Sequence, residues 1–252
     1  MVTQTGEKQA LKTELREALA TYGGNTKHEV VINAIEKLQA VNPTTAPSRN
    51  NNLLDGNWLL ISAPNFPGGE LLEHGKYSYT LGRLAFNMFQ PVKLKLVIDR
   101  VLQPVFPVNN GQQRSHDIIV EFTTIEDNLP EIKGIVHNFG ICEPKTDSSL
   151  QVQFTGSMMK PQEQQNLDVW KSLFNQQSKS SNKSWKEKVG AVMAKIMFGL
   201  VPPEQMNPKT GEVSFSMRRP PKGSLDIIYV DEELRITRGE KGTVLVCQRL
   251  ST

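Results

Sequence analysis

Cysteine is nearly missing from this 252-residue chain, which carries Cys142 and Cys247 and no others. A disulfide framework is thereby excluded as its main support, and no Cys or His spacing suits zinc. Both cysteines have apolar neighbours, which reads as two reduced buried thiols, with a single disulfide left open. Long apolar runs are missing too. No stretch approaches the ~20 apolar residues that a membrane-spanning helix needs. Residues 1–14 are polar and charged. They have neither the apolar centre of a secretory signal nor the Arg- and Ser-rich, acid-poor make-up of a transit peptide. The expected location is therefore inside a cell, soluble or on a membrane surface. A net charge of +3 is too small to imply nucleic acid.

Catalytic signatures are equally scarce. His28, His74, His116 and His137 lie in unrelated contexts. There is no nucleotide-binding Gly loop and no Gly-x-Ser-x-Gly elbow. Ser157 to Lys160 has the Ser-x-x-Lys form of a penicillin-recognising nucleophile, but those residues end a strand-like run where the motif needs a helix start. Asp231-Glu232-Glu233 reads as a solvated turn. No enzyme, metal or cofactor is expected.

What is present is a globular composition, 38% apolar and 22% charged, long enough for one large domain or two small ones. Leu11, Leu15, Ala18, Leu19 and Tyr22 share one side at helical spacing, and Gly23-Gly24 ends that helix. Thr26 and Glu29 have the form of a capping box for a second helix bearing Val31, Ala34, Ile35 and Leu38. Asn42-Pro43 stops it. Residues 1–45 thus read as a helical hairpin, and a polar linker follows to Asn52.

Strand-like runs then succeed one another: around Trp58, 77–90, 92–102, 117–124, 132–142 and 150–158. In the last, Leu150, Val152, Phe154, Gly156 and Met158 alternate with polar residues. Residues 161–211 change to helical spacing. Trp185, Val189, Val192, Ile196 and Leu200 form a stripe, with Lys186, Lys188 and Lys195 elsewhere. From 160 to 195, seven lysines (160, 171, 179, 183, 186, 188, 195) oppose Glu163, Asp168 and Glu187, a local balance of +4. This basic helix packs on the body, anchors to anionic headgroups or closes a mouth as a lid. Leu225 to Cys247 finally reads as a three-stranded meander turning at Asp231–Glu233 and Gly239–Gly242. The runs total about nine, and one fused or broken pair would leave the eight of a closed barrel.

Two ordered segments resemble the plastid lipid-associated protein family, or fibrillins. One is Leu225-Asp226, Tyr229-Val230-Asp231-Glu232, Leu234-Arg235-Ile236, Arg238-Gly239 and Val244-Leu245-Val246. The other is Leu53-Leu54-Asp55-Gly56-Asn57-Trp58, which is also similar to the Gly-x-Trp opening of lipocalins. The resemblance implies a mainly β fold: a lipocalin-like antiparallel barrel over 53–252, preceded by the hairpin and holding the helical insertion. It implies that Trp58 closes one end under an arginine, Arg249 first and Arg235 second.

Sequence alone leaves open whether the barrel is hollow or filled. The resemblance favours a cavity for a lipid, carotenoid or prenylquinone, lined by Trp58, Phe86, Phe89, Ile135, Phe154, Tyr229 and Ile236. Arg238 is placed inward at the rim, with an ion pair to Asp231 as the other reading, and Arg235 outward. Trp185 to Ile196 supply the membrane or partner surface. Lipid organisation or photoprotection at the thylakoid surface of a cyanobacterium is the implied role. A non-catalytic adaptor for a photosynthetic complex or a biosynthetic enzyme is the alternative, and a bilin-lyase-like enzyme comes last.

Overall fold

A computed structural model describes residues 4–66, 68–73, 75–126, 131–163, 166–174, 199–201 and 205–251. The described elements in chain order are α1 (Gln4–Thr21), α2 (Glu29–Ala40), α3 (Asn51–Leu54), β1 (Trp58–Leu60), β2 (Glu70–Leu71), β3 (Tyr77–Thr80), α4 (Leu81–Leu84), β4 (Lys95–Leu102), β5 (Pro107–Val108), β6 (Gln113–Ser115), β7 (Ile118–Thr124), β8 (Lys133–Pro144), β9 (Ser149–Pro161), α5 (Leu167–Phe174), β10 (Leu200–Val201), β11 (Val213–Met217), β12 (Lys222–Val230), β13 (Leu234–Gly239) and β14 (Val244–Arg249).

Eight of these strands form a ring. β9 pairs β12, then come β13, β14, β1, β4, β7 and β8, and β8 pairs back onto β9. Each pairing is antiparallel. Closure leaves the ring no unpaired edge. The helical pair and closed barrel are the architecture expected from the sequence. The run at 77–90 supplies β3 and α4 outside the ring. β2, β5, β6, β10 and β11 are the other extra strands.

Side chains fill the barrel from both ends. At the lower end Leu54, Trp58, Val105, Cys142, Leu150, Ile227, Val230 and Cys247 pack together. At the upper end Tyr79, Leu84 and Phe89 meet Phe122, Val136 and Trp170. Asn138 on β8 donates to the Leu84 carbonyl at 3.0 Å, which ties the segment after β3 to the wall. Each fully buried Phe or Leu contributes about 1.5–3 kcal/mol.

A further core lies outside the ring. Leu15, Leu19, Val31, Ile35 and Leu38 of the hairpin cover Ile228, Tyr229, Leu234, Ile236 and Val246. The strands β12 to β14 are therefore buried on both faces. Thr26 does not cap α2: the N-cap is His28, whose ring accepts from the Val30 amide. Thr26 instead donates to the Val244 carbonyl at 3.1 Å, pinning the hairpin to β14. Asn42 donates to the Ile228 carbonyl. That bond falls at the bulge where register shifts between Ile227 and Tyr229.

The acidic corner is not a solvated turn throughout. Asp231 is 5% exposed. It accepts from the Tyr229 hydroxyl at 2.6 Å and from the amides of Glu233 and Leu234, and it pairs with Lys12 of α1 at 3.0 Å. Glu233 pairs with Lys12 and Arg16. Burial alone pushes the Asp231 carboxyl up. The Tyr229 hydroxyl, the two amides and Lys12 outweigh it and hold the group below its ordinary 3.8. Lys12 and Arg16 likewise hold Glu233 below 4.5.

Both folded values are depressed, so the stability they contribute is present above pH 4.5 and is lost as pH falls through the folded values. Asp231→Ala, which strips the acid from a buried lysine, is expected to cost about 3 kcal/mol in urea unfolding at pH 7. The deficit should shrink as the wild type is titrated below pH 4. A loss under about 0.5 kcal/mol at pH 7 would show that the pair does not tether the hairpin.

Candidate functional site

The barrel floor is built on one indole. Trp58 is fully buried and donates Nε1–H to the Leu54 carbonyl at 2.9 Å. Its strand register sets it opposite Arg249. The Arg249 guanidinium lies over the ring at 4.3 Å from the centroid, and Arg235 lies at 4.8 Å. Each contact is worth about 0.5–2 kcal/mol, more as water is excluded. Arg249 spends its donors on the carbonyls of Glu232, Asp55 and Leu53, stitching the chain before β1 to the turn after β12. Gly56 has φ of +141°, and a Cβ there would collide with the Arg249 guanidinium. The Gly-x-Trp spacing thus has a physical cause in the arginine that crosses it.

Above this floor the ring is hollow. A cavity of about 330 Å³ is lined by Gln103, His116, Val152, Phe154, Thr237 and Leu245, with Pro221 to Leu225 at its rim. The opening follows from the strand pairings. β9 pairs β12 through 149–153 but β11 through 156–159, so the wall divides just above Phe154. A bulge at Phe139 and Gly140 accompanies the division. It also turns Ser157 and Met159 inward, where simple alternation from Leu150 would place Gly156 and Met158.

The polar groups converge at the cavity floor. Arg235 is 3% exposed and donates Nη2–H to Gln103 Oε1 at 2.7 Å. Its Nε has no partner. Burial, then the charge of Arg235, pushes the His116 imidazole down to about 4. His116 is therefore neutral at physiological pH. Burial also raises the Cys142 thiol to about 11 and raises Cys247. Both cysteines are free, buried and protonated, as the sequence suggested. Among the described residues no His, Cys, Asp and Glu group could hold a metal ion.

The lining residues expected from the sequence are only partly brought together. Phe154 lines the cavity, and Trp58 lies in the packed layer beneath it. Phe86 is 44% exposed, its ring 6.0 Å from that of Phe154. Phe89 is buried against Phe215 in the upper core at 5.5 Å. Ile135 is half-buried on the face of β8 opposite Val136. Tyr229 and Ile236 face the helical hairpin, not the interior.

Arg238 shares that outer face and is exposed, and Lys12 takes the Asp231 pairing expected of it. The inward arginine of β13 is Arg235, where alternation had set it outward. Gln103, His116 and Thr237 were missed, since one polar residue in an apolar run gives no sign of its face. Trp185, Lys186, Lys188, Val189, Val192, Lys195 and Ile196 lie outside the described residues.

The PAP_fibrillin family model matches residues 9–248. The chain is also similar to plastid lipid-associated protein 3, chloroplastic, of Brassica campestris, at 24% identity over 237 residues. That match covers 91% of this chain and 56% of the relative, so the chain spans little more than half the relative's length. No solved structure matches.

Removing the indole leaves the buried Arg235 and half-buried Arg249 guanidinium groups over a void. Trp58→Ala is expected to cost about 3–5 kcal/mol in chemical unfolding, and Trp58→Phe distinctly less. Equal losses for the two variants would show that an aromatic ring at this position, by its volume and its cation contacts together, does not hold the floor.

Proposed function

We propose that this chain, which belongs to the PAP_fibrillin family, is a non-catalytic binding protein for an apolar molecule: a lipid, carotenoid or prenylquinone. The observation that carries the reading is the hollow of about 330 Å³ inside the barrel wall, open at Pro221 to Leu225. Its walls include Val152, Phe154 and Leu245, with Gln103, His116 and Thr237 inside and Lys222 and Ser224 at the rim. Ligand sites have this mixture of apolar wall and a few fixed polar groups, at volumes of about 300–1,000 Å³. The space lies at the small end of that range. It takes a ring or one chain end, and the remainder of a long molecule leaves past Pro221 to Leu225.

The relative's name supports a setting among plastid-type lipids. In this reading the chain is a cyanobacterial-type member, peripheral on the cytoplasmic face of the thylakoid membrane, acting in lipid organisation or photoprotection. Residues 1–45 brace a barrel spanning 53–252, and the basic segment from Trp185 to Ile196 meets the anionic membrane surface. No helix among the described residues is long and apolar enough to cross a membrane. A second reading, a docking adaptor, is supported by Val30 and Ile32, which are 42% and 39% exposed on α2. A stoichiometric protein partner recovered without extractable lipid would favour it.

Organic extracts of natively purified protein should yield one apolar species near stoichiometry by mass spectrometry. Delipidated protein should bind decyl-plastoquinone, with Leu245→Trp reducing that affinity by about tenfold or more through lost space. An empty extract together with no quinone uptake would contradict the carrier reading.

A further inference from the structure

Behind the lining residue Gln103 lies a buried guanidinium, that of Arg235, with no carboxylate partner among the described residues. Arg235 projects from β13 on the face it shares with the lining residue Thr237, and its Nη2 is bonded to the lining residue Gln103. At 3% exposure it is cut off from bulk water. Among the described residues no carboxylate is paired with it, and its Nε is unpartnered. The second guanidinium over Trp58, that of Arg249, adds positive charge beside it and is itself satisfied by backbone carbonyls. Taking a cation out of water is costly unless an anion and hydrogen bonds compensate it. Here the compensation is incomplete, and Gln103, to which the guanidinium is bonded, and Thr237, its neighbour on the same strand face, line the hollow.

We infer that this corner is a headgroup subsite for a carboxylate, and that the preferred ligand is a long-chain carboxylic acid. The inference rests on the carrier reading of the cavity. A carboxylate is planar and has two oxygens, which suits the fork of one guanidinium. A phosphate would bring more charge and more oxygens than one buried arginine satisfies. The Gln103 amide and the Thr237 hydroxyl stand at the same end as further polar partners. His116, held neutral by burial, adds no second cation. The hydrocarbon then runs past Val152, Phe154 and Leu245 toward the exposed rim at Pro221 and Lys222.

The test compares one chain with two heads. Full-length, delipidated protein is titrated calorimetrically with palmitate and with 1-hexadecanol. Palmitate should bind at least about tenfold tighter, the low end of what a charge-assisted hydrogen bond provides. Arg235→Met should bring the ratio of palmitate to hexadecanol affinity down toward one, and Arg235→Lys should keep part of the preference. Equal affinity of the wild type for both would overturn the headgroup subsite, needs no variant to fold, and leaves the carrier reading standing. Tighter binding of decyl-plastoquinone than of palmitate would also overturn it. Failure of all three to bind would remove the carrier reading and this subsite with it.

Discussion

The stacking of two guanidinium groups on Trp58 is the constraint to which the rest of the molecule answers. It joins the first strand of the ring to the last two, β13 and β14, and so closes the barrel at one end. It explains Gly56, whose missing Cβ leaves room for Arg249. It also fixes where the interior becomes polar. Arg235 cannot reach the indole without entering the lumen, and once there it needs Gln103 as a partner. An apolar hollow with one charged corner follows from that arrangement.

Polar residues inside the ring are tolerable because apolar burial is gained outside it. α1 and α2 cover the outer face of the terminal meander, where Tyr229, Leu234, Ile236 and Val246 form a second core with the helices. A strand buried on both faces gives no clean polar–apolar alternation. The helices are held by Thr26 on β14, by Asn42 at the β12 bulge and by Lys12 on Asp231. The hairpin is thus part of what permits Arg235 and Thr237 to point inward.

The large features were legible in the chain. Helical spacing located α1 and α2. Gly56-x-Trp58 and Arg249 marked the closed end, and the strand runs came within one of the eight in the ring. The facing of particular residues was not legible, for identifiable reasons. In β8, Ile135 and Val136 are both aliphatic, so neither marks the inner face. In β12 a bulge at Ile227 and Tyr229 reverses the parity that Leu225 and Ile227 establish. In β13 the apolar parity is real, but it belongs to the helix-covered side. Asp231 looked like a solvated turn because its partner Lys12 lies more than two hundred positions away and nothing local signals it. The cavity residues Gln103, His116 and Thr237 come from three separate strand ends and converge only in the fold.

A barrel with a packed floor and an open-mouthed hollow beside it is the physical content of the functional reading. A hollow with apolar walls accepts an inert, polarisable guest where a packed core does not. Crystals of the protein pressurised with xenon test this most directly. Xenon density between Val152, Phe154 and Leu245, above Gln103, is the predicted result. A lumen without xenon, its space taken by side chains drawn in from the rim, would contradict the account.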